Sequence, residues 1–242
     1  MTTVKTRICD FDDLNLTETI NKIKILAKSD TQHTLITPNI DHMARLITGN
    51  NKELIPIYQS ASLCLCDSKI LQKLMLLKGI LLENVIPGSS LTEELFNNNL
   101  QTDDKIVIIG GDQNVITKLK AQYSELIREH YNPPMGFINN ETEVNKTINF
   151  CIAKQPEYIF LAVGSPRQEI LAQKLKDTNK TTGVALCIGA SILFLVDEEK
   201  RAPEWMQKAH IEWLYRMMQD PKRLVARYWS NFLKLLRIYK KI

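Results

Sequence analysis

The chain has 242 residues, 44% of them hydrophobic and 24% charged, with only 9 glycines and 9 prolines. This is enough for one sizeable α/β core with an appended element, and it excludes both a low-complexity disordered chain and two full-sized domains joined by a linker. A formal net charge of +4 is too small to mark a nucleic-acid or membrane partner by itself.

In chain order, the amino-terminal stretch MTTVKTRICDFDDLN is too polar for a secretory signal. No run reaches the roughly 18–20 apolar residues that a transmembrane helix needs, so a cytoplasmic location is expected. From residue 33 to 195 short apolar runs alternate with helical patterns. HTLIT is followed by NIDHMARLITG, and ASLCLC by SKILQKLMLLKG. KIVIIGG is followed by a helical pattern through QNVITKLKAQYSELIREH, YIFLAVG by RQEILAQKLKD, and GVALCIG by ASILFLVDE. Repeated strand-then-helix units predict a doubly wound, mostly parallel sheet flanked by helices, because parallel strands need crossover connections and are buried on both faces. The predicted boundary falls at residue 199, with an α/β domain over 1–199 and a helical appendage over 200–242.

The appendage holds eleven basic and three acidic residues, a net of about +8, whereas the preceding part is slightly acidic. On a helical wheel Arg223, Arg227, Lys234, Arg237 and Lys241 fall along one line. Leu224, Tyr228, Phe232, Leu235, Leu236 and Tyr239 lie opposite. A basic, aromatic-rich amphipathic helix suits an anionic membrane surface better than nucleic acid, while the plain alternative is a terminal helix packing its apolar side on the core.

Ligands of doubly wound sheets bind beyond the carboxyl ends of the strands. That rule selects Thr37-Pro38-Asn39, Asp67-Ser68, Gly110-Gly111-Asp112, Gly164-Ser165-Pro166-Arg167-Gln168-Glu169 and Gly189-Ala190-Ser191. Thr37 is read either as the cap of the next helix or as a crevice residue with Asn39. Asp67 is a carboxylate at a strand end, fit to take a hydroxyl proton, although an Asp before a helix is usually a cap. His33 starts a strand at the wrong end of the sheet, and His42, His130 and His210 are placed in or at the ends of helices. Gly110-Gly111 is half of a phosphate turn without the rest of a dinucleotide or P-loop motif. Gly164 leads to a helix amino terminus suited to a diphosphate, where Arg167 adds charge and Gln168 can meet a sugar hydroxyl. The five cysteines lack zinc spacings and read as buried thiols, with Cys64 and Cys66 on one face of a strand. Neither a metal nor a cofactor is expected.

Several segments together resemble the WecG/TagA/CpsF glycosyltransferases: TPNIDHMARL, ASLCLCDSKIL, NVIPGSSL, FLAVGSPRQEI, CIGASILFL and KRAPEWMQKAHIEWLYRMMQDPKRLVARY. The resemblance implies a Rossmann-like fold of the GT-E type. It also implies metal-independent, inverting transfer of an N-acetylmannosamine-type sugar from a UDP donor to undecaprenyl-diphosphate-linked N-acetylglucosamine. Asp67 then matches the catalytic base, Thr37, Asn39 and Gln168 match the donor and catalytic pocket, and Gly88 matches the glycine of a third motif. Arg216, Arg223 and Arg227 match the basic appendage that closes over the pocket and neutralises the leaving diphosphate, a task suited to the planar guanidinium fork. Attachment to the inner face of the plasma membrane is implied, and homo-oligomers are left open. The chain departs from the family at Pro87, where Thr is common, and at Ser90 and Leu193, where acidic residues are usual. Other readings are a transferase for another nucleotide sugar, or a module that binds nucleotides or polyprenyl phosphates without turnover.

Overall fold

The computed structural model describes residues 2–47, 54–127, 129–198, 203, 206, 215, 234–240 and 242. Its centre is a six-stranded, wholly parallel sheet. The strands are β3 (His33–Ile36), β4 (Leu63–Cys64), β5 (Ile106–Ile109), β6 (Glu129–Tyr131), β7 (Tyr158–Leu161) and β8 (Val184–Cys187), in the order β4-β3-β8-β7-β5-β6. β1 (Thr2–Val4) and β2 (Phe11–Asp13) form a separate antiparallel pair. That pair guards the β4 end of the sheet, since Asp12 Oδ2 accepts the Cys64 N–H at 2.9 Å and Asp13 accepts the Glu83 and Asn84 N–H groups.

Side chains alternate across this sheet and make two core clusters. Ile36, Cys64, Cys66, Ile159, Leu161 and Cys187 face one side. There they meet α2 (Ile40–Ile47), α3 (Ile55–Gln59), α4 (Lys69–Leu76), α7 (Glu141–Lys154) and α8 (Arg167–Asp177). Leu35, Leu63, Leu65, Ile108, Phe160 and Leu186 face α1 (Leu16–Ala27), α5 (Gly88–Glu94), α6 (Gln113–Gln122) and α9 (Ser191–Leu195) on the other. Cys64 and Cys66 do share a face, and all five cysteines are buried free thiols.

Two readings of the sequence need correction. The helix expected to run through His130 stops at Gln122, and His130 sits in β6, where Nε2 meets the carbonyls of Gly110 and Gly111 at 3.1 and 3.3 Å. The cap of α2 is Asn39 rather than Thr37, because Asn39 Oδ1 accepts the N–H groups of Asp41 and His42 at 3.0 and 3.3 Å. The amino-terminal region also folds where no element was expected: α1 opens on a capping box in which Asn15 and Glu18 bond each other's backbone N–H.

Near the carboxyl terminus residues 234–240 are helical. Ile238 and Ile242 are buried in the core cluster of α4, Leu235 packs against it, and the Tyr239 hydroxyl lies 3.4 Å from the Leu77 carbonyl. The apolar side of the wheel therefore divides. Leu235, Ile238 and Tyr239 serve the fold, while Leu236 is 74% exposed, as are Leu76, Leu77 and Leu81 to similar degrees. No helix among the described residues is long and apolar enough to cross a membrane.

Candidate active site at the strand ends

Thr37 directly follows β3 and is buried, and Asp67, half-buried, follows β4. The two ends are stitched together by the Asp67 N–H, which donates to the Pro38 carbonyl at 3.1 Å. Asp67 is not a cap. Ser68 fills that role for α4, its hydroxyl accepting the Leu71 N–H at 3.2 Å. A half-buried carboxylate at the mouth of the sheet fits the requirement for a base that reaches a substrate hydroxyl.

Gly88 opens α5 directly against Thr37. A Cβ there would lie 3.0 Å from Thr37 Oγ1 and 3.6 Å from Ser191 Oγ, so a side chain would push into the junction of β3, α5 and α9. Ser191 is buried, and its hydroxyl donates to the Ile188 carbonyl at 2.6 Å. Position 90 holds a half-buried serine, and Leu193 packs against the core cluster of α9.

The turn from β7 into α8 supplies the opposite wall. Gly164 has φ of 75°, a left-handed conformation that favours glycine, and the site of a Cβ there would be 3.1 Å from Arg167 Nη2. Arg167 therefore folds over its own turn, with Nη1 3.8 Å from Met135 Sδ. Gln168 is 4% exposed and already engaged: Oε1 accepts the Gly189 N–H at 2.9 Å and Nε2 donates to Glu169 Oε1 at 3.0 Å. Its amide thus ties α8 to the end of β8, leaving one N–H on Nε2 for a ligand.

Thr37, Asn39, Asp67, Gly88 and Gln168 are thereby gathered around the carboxyl ends of β4, β3 and β8, with Gly164 and Arg167 at the rim beyond β7. Arg216, Arg223 and Arg227 lie outside the described residues. Gly110 and Gly111 have packing reasons instead: with φ of 96° and 83°, their Cβ atoms would meet Ala162 backbone and Ile192 Cδ1 at 2.8 Å. Asp112 caps α6 through the Val115 N–H. His33 sits at the amino end of β3 between Ser62 and Ser29, away from the crevice.

Three further residues support the site: His42, which the sequence placed only within a helix, Glu169, which it named only as part of the strand-end segment, and Arg45, which it did not single out. His42 Nδ1 is 2.8 Å from Asn39 Oδ1, and its Nε2 is 3.6 Å from the carboxylate of Glu169, which is 1% exposed. Arg45, one turn further along α2, donates to Ser165 Oγ at 2.6 Å and pairs with Asp41, fixing the Gly164 turn. The spacing of Asn39, His42 and Arg45 does place them on one helix face. Their partners on α8 depend on the strand order. Among the described residues no group of three or more His, Cys, Asp and Glu side chains is placed to hold a metal ion.

A strand-end crevice with a half-buried carboxylate at Asp67, the amides of Asn39 and Gln168 and a guanidinium at a helix start has the parts for handling a sugar and a diphosphate. Proteins from Staphylococcus aureus strains MW2 and NCTC 8325 are each 26% identical over 221 residues, covering 89% of this chain and 84% of their own length. A third, from strain MRSA252, is 26% identical over 223 residues with the same coverage. All three are named N-acetylglucosaminyldiphosphoundecaprenol N-acetyl-beta-D-mannosaminyltransferase. The sequence matches the glycosyl transferase WecG/TagA/CpsF family over residues 4–242, which takes in every strand end of the crevice and the carboxyl-terminal segment alike, and the chain belongs to that family.

Proposed function

We propose that this glycosyltransferase moves an N-acetylmannosamine-type sugar from a UDP donor to undecaprenyl-diphosphate-linked N-acetylglucosamine, in the synthesis of a bacterial surface polysaccharide or teichoic acid. The observation that carries the reading is the placement of Asp67 beside Thr37, Asn39 and Gly88 at the ends of β3 and β4, in a chain whose relatives bear that activity in their names.

In this reading Asp67 takes the proton of the acceptor hydroxyl as its oxygen attacks the anomeric carbon of the donor. The bond from that carbon to the diphosphate breaks on the opposite face, and UDP leaves with the bonding electrons. One displacement inverts the anomeric centre. Charge gathers on the leaving diphosphate, where Arg167 together with Arg216, Arg223 and Arg227 supplies bidentate donors in place of a metal ion. Thr37, Asn39 and Gln168 orient the two sugars. The basic appendage keeps the enzyme on the inner face of the plasma membrane, where a lipid-linked acceptor resides, and Leu76, Leu77, Leu81 and Leu236 offer apolar side chains to that interface.

A second donor is favoured by one feature. Leu193 and Ser90 leave the crevice without two customary carboxylates, and a carboxylate would be a natural acceptor for a nucleotide base. The test is incubation with a synthetic lipid-diphosphate-N-acetylglucosamine and a panel of nucleotide sugars, read by mass spectrometry. Lipid product that gains an N-acetylhexosamine only with the N-acetylmannosamine donor supports the reading. Gain from another donor reassigns the sugar, and binding without any product points to the non-catalytic module.

A further inference from the structure

Asn39 and Gln168 come from different elements, yet one pair, half-buried His42 and buried Glu169, supports both. His42 Nδ1 lies 2.8 Å from Asn39 Oδ1, His42 Nε2 lies 3.6 Å from Glu169 Oε1, and Gln168 Nε2 donates to the same Oε1 at 3.0 Å. Asn39 Oδ1 is already committed as an acceptor by the N–H groups of Asp41 and His42. His42 Nδ1 lies between Asn39 Oδ1 at 2.8 Å and the Asn39 backbone N–H at 3.2 Å, and the shorter of the two contacts assigns a proton to Nδ1, because two lone pairs at that distance repel.

The other side of the ring makes a matching demand. The Glu169 side chain is 2% exposed, and its Oε2 has no hydrogen-bond partner among the described residues. A carboxylate so buried is costly without an opposite charge. An imidazolium meets both requirements at once: its Nδ1–H satisfies Asn39 and its charge compensates Glu169. The titratable groups that the described residues bring here include Tyr58 of α3, Cys187 of β8, and Asp41 and Arg45 of α2. The Tyr58 ring is 6.4 Å from that of His42, and burial with the Glu169 charge keeps its phenol protonated. Burial and the same carboxylate likewise hold the Cys187 thiol protonated. Asp41 and Arg45 pair with each other at 3.5 Å.

We propose that His42 is held as an imidazolium by Glu169 and serves as the positioning residue for the Asn39 and Gln168 carboxamides, so that the crevice is assembled only while that proton is bound. The proposal rests on the reading of those two amides as substrate residues. When the proton leaves Nδ1, the nitrogen becomes an acceptor for the Asn39 backbone N–H, 3.2 Å away, and the contact with Oδ1 turns repulsive. The Asn39 carboxamide then swings and loses its cap.

The measurement is a pH titration of the imidazole nitrogens by long-range proton–nitrogen NMR on the full chain, whose four histidines make assignment by single substitution practical. The expected result is a His42 ring protonated on both nitrogens at neutral pH, with proton affinity about tenfold or more above that of an ordinary histidine of pKa about 6.5. E169Q should lower that affinity about tenfold and shift the alkaline limb of kcat/KM downward by the same amount. A ring that is neutral at pH 7 in the unsubstituted protein overturns the proposal without any variant having to fold. An unchanged alkaline limb in a folded E169Q protein overturns the positioning role. Since the titration is read from the ring, a His42 that titrates as expected in a protein that transfers no sugar from the panel supports the ion pair and sinks the transfer reading alone.

Discussion

Asp67 owes its candidacy to a neighbour. Ser68 and not Asp67 caps α4, whereas the sequence alone left Asp67 as either the cap or the base. Replacing Asp67 by Asn keeps the shape and removes the base, and turnover should drop by about 10² to 10⁴ fold, the usual weight of general base catalysis. Steady-state rates with the accepted donor check this, and a variant within a few fold of the unsubstituted enzyme rejects the assignment. The cysteines give a second prediction at the same scale. Burial pushes the Cys66 and Cys151 thiols up to about 12, and Cys64 and Cys187 well above their ordinary value as well. Only thiolates react readily, and Cys9 is shielded by burial, so the folded protein should leave Ellman's reagent unreacted at pH 8, while all five thiols should react in denaturant. The folded state holds these protons more tightly than the unfolded chain. Stability is thus retained below the ordinary thiol value of 9.0 and falls as pH climbs from there towards 12, which urea midpoints across that range will show.

Elements depend on single backbone positions more than their apolar patterns reveal. Gly183 has φ of 75°, donates its N–H to Ser29 and accepts from the His33 N–H, so it sets where β8 enters between β3 and β7. A Cβ would fall 2.3 Å from the Glu157 carbonyl oxygen. Gly136, with φ of 79°, has nothing within 4 Å. Gly136→Ala should therefore cost only the left-handed strain of about 1–2 kcal/mol, whereas Gly183→Ala adds a clash with rigid backbone and should lose clearly more. At roughly 2–4 °C per kcal/mol for a chain of this size, thermal melts will separate the two, and equal losses would refute the steric argument. The central strands and the helices after them were legible because short apolar runs and capped helical patterns alternate from residue 33 to 195. The helix drawn through His130 overran because Leu126 and Ile127 continue the helical spacing while covering the core from a turn. α1 escaped notice although its Asn15–Glu18 capping box was readable. Strand order was not readable at all. Only the β3-β8-β7 arrangement brings His42 of α2 to Glu169 of α8, and so half of the site's internal support could not be seen in one dimension.

At the scale of the whole molecule, one face of the sheet, the helices that cover it and the helix over 234–240 share one core cluster, since Ile238 and Ile242 belong with residues of β3, β4 and α4. This limits how the basic carboxyl-terminal segment can be tested. Deleting the last residues would strip core side chains as well as charges, and burial of Ile238 alone is worth about 2–4 kcal/mol on truncation to Ala. Charge must instead be removed where packing is untouched. Arg237 and Lys240 are exposed on the helix over 234–240, whose inward side is taken by Leu235, Ile238 and Tyr239. If this segment holds an anionic bilayer, each cation contributes about 1 kcal/mol, so R237Q/K240Q should weaken partitioning to phosphatidylserine-containing vesicles by about 30-fold. Attraction to neutral vesicles and the thermal melt should stay unchanged. Binding of the unsubstituted protein should also fall steeply between 0.1 and 1 M salt, where the screening length shrinks from about 10 to 3 Å. Flotation in a density gradient measures the vesicle binding, and a thermal scan the stability. If the double variant floats as well as the unsubstituted protein, the charges face solvent and nothing more, and attachment must be sought in the exposed leucines at positions 76, 77, 81 and 236, whose contribution would be indifferent to salt.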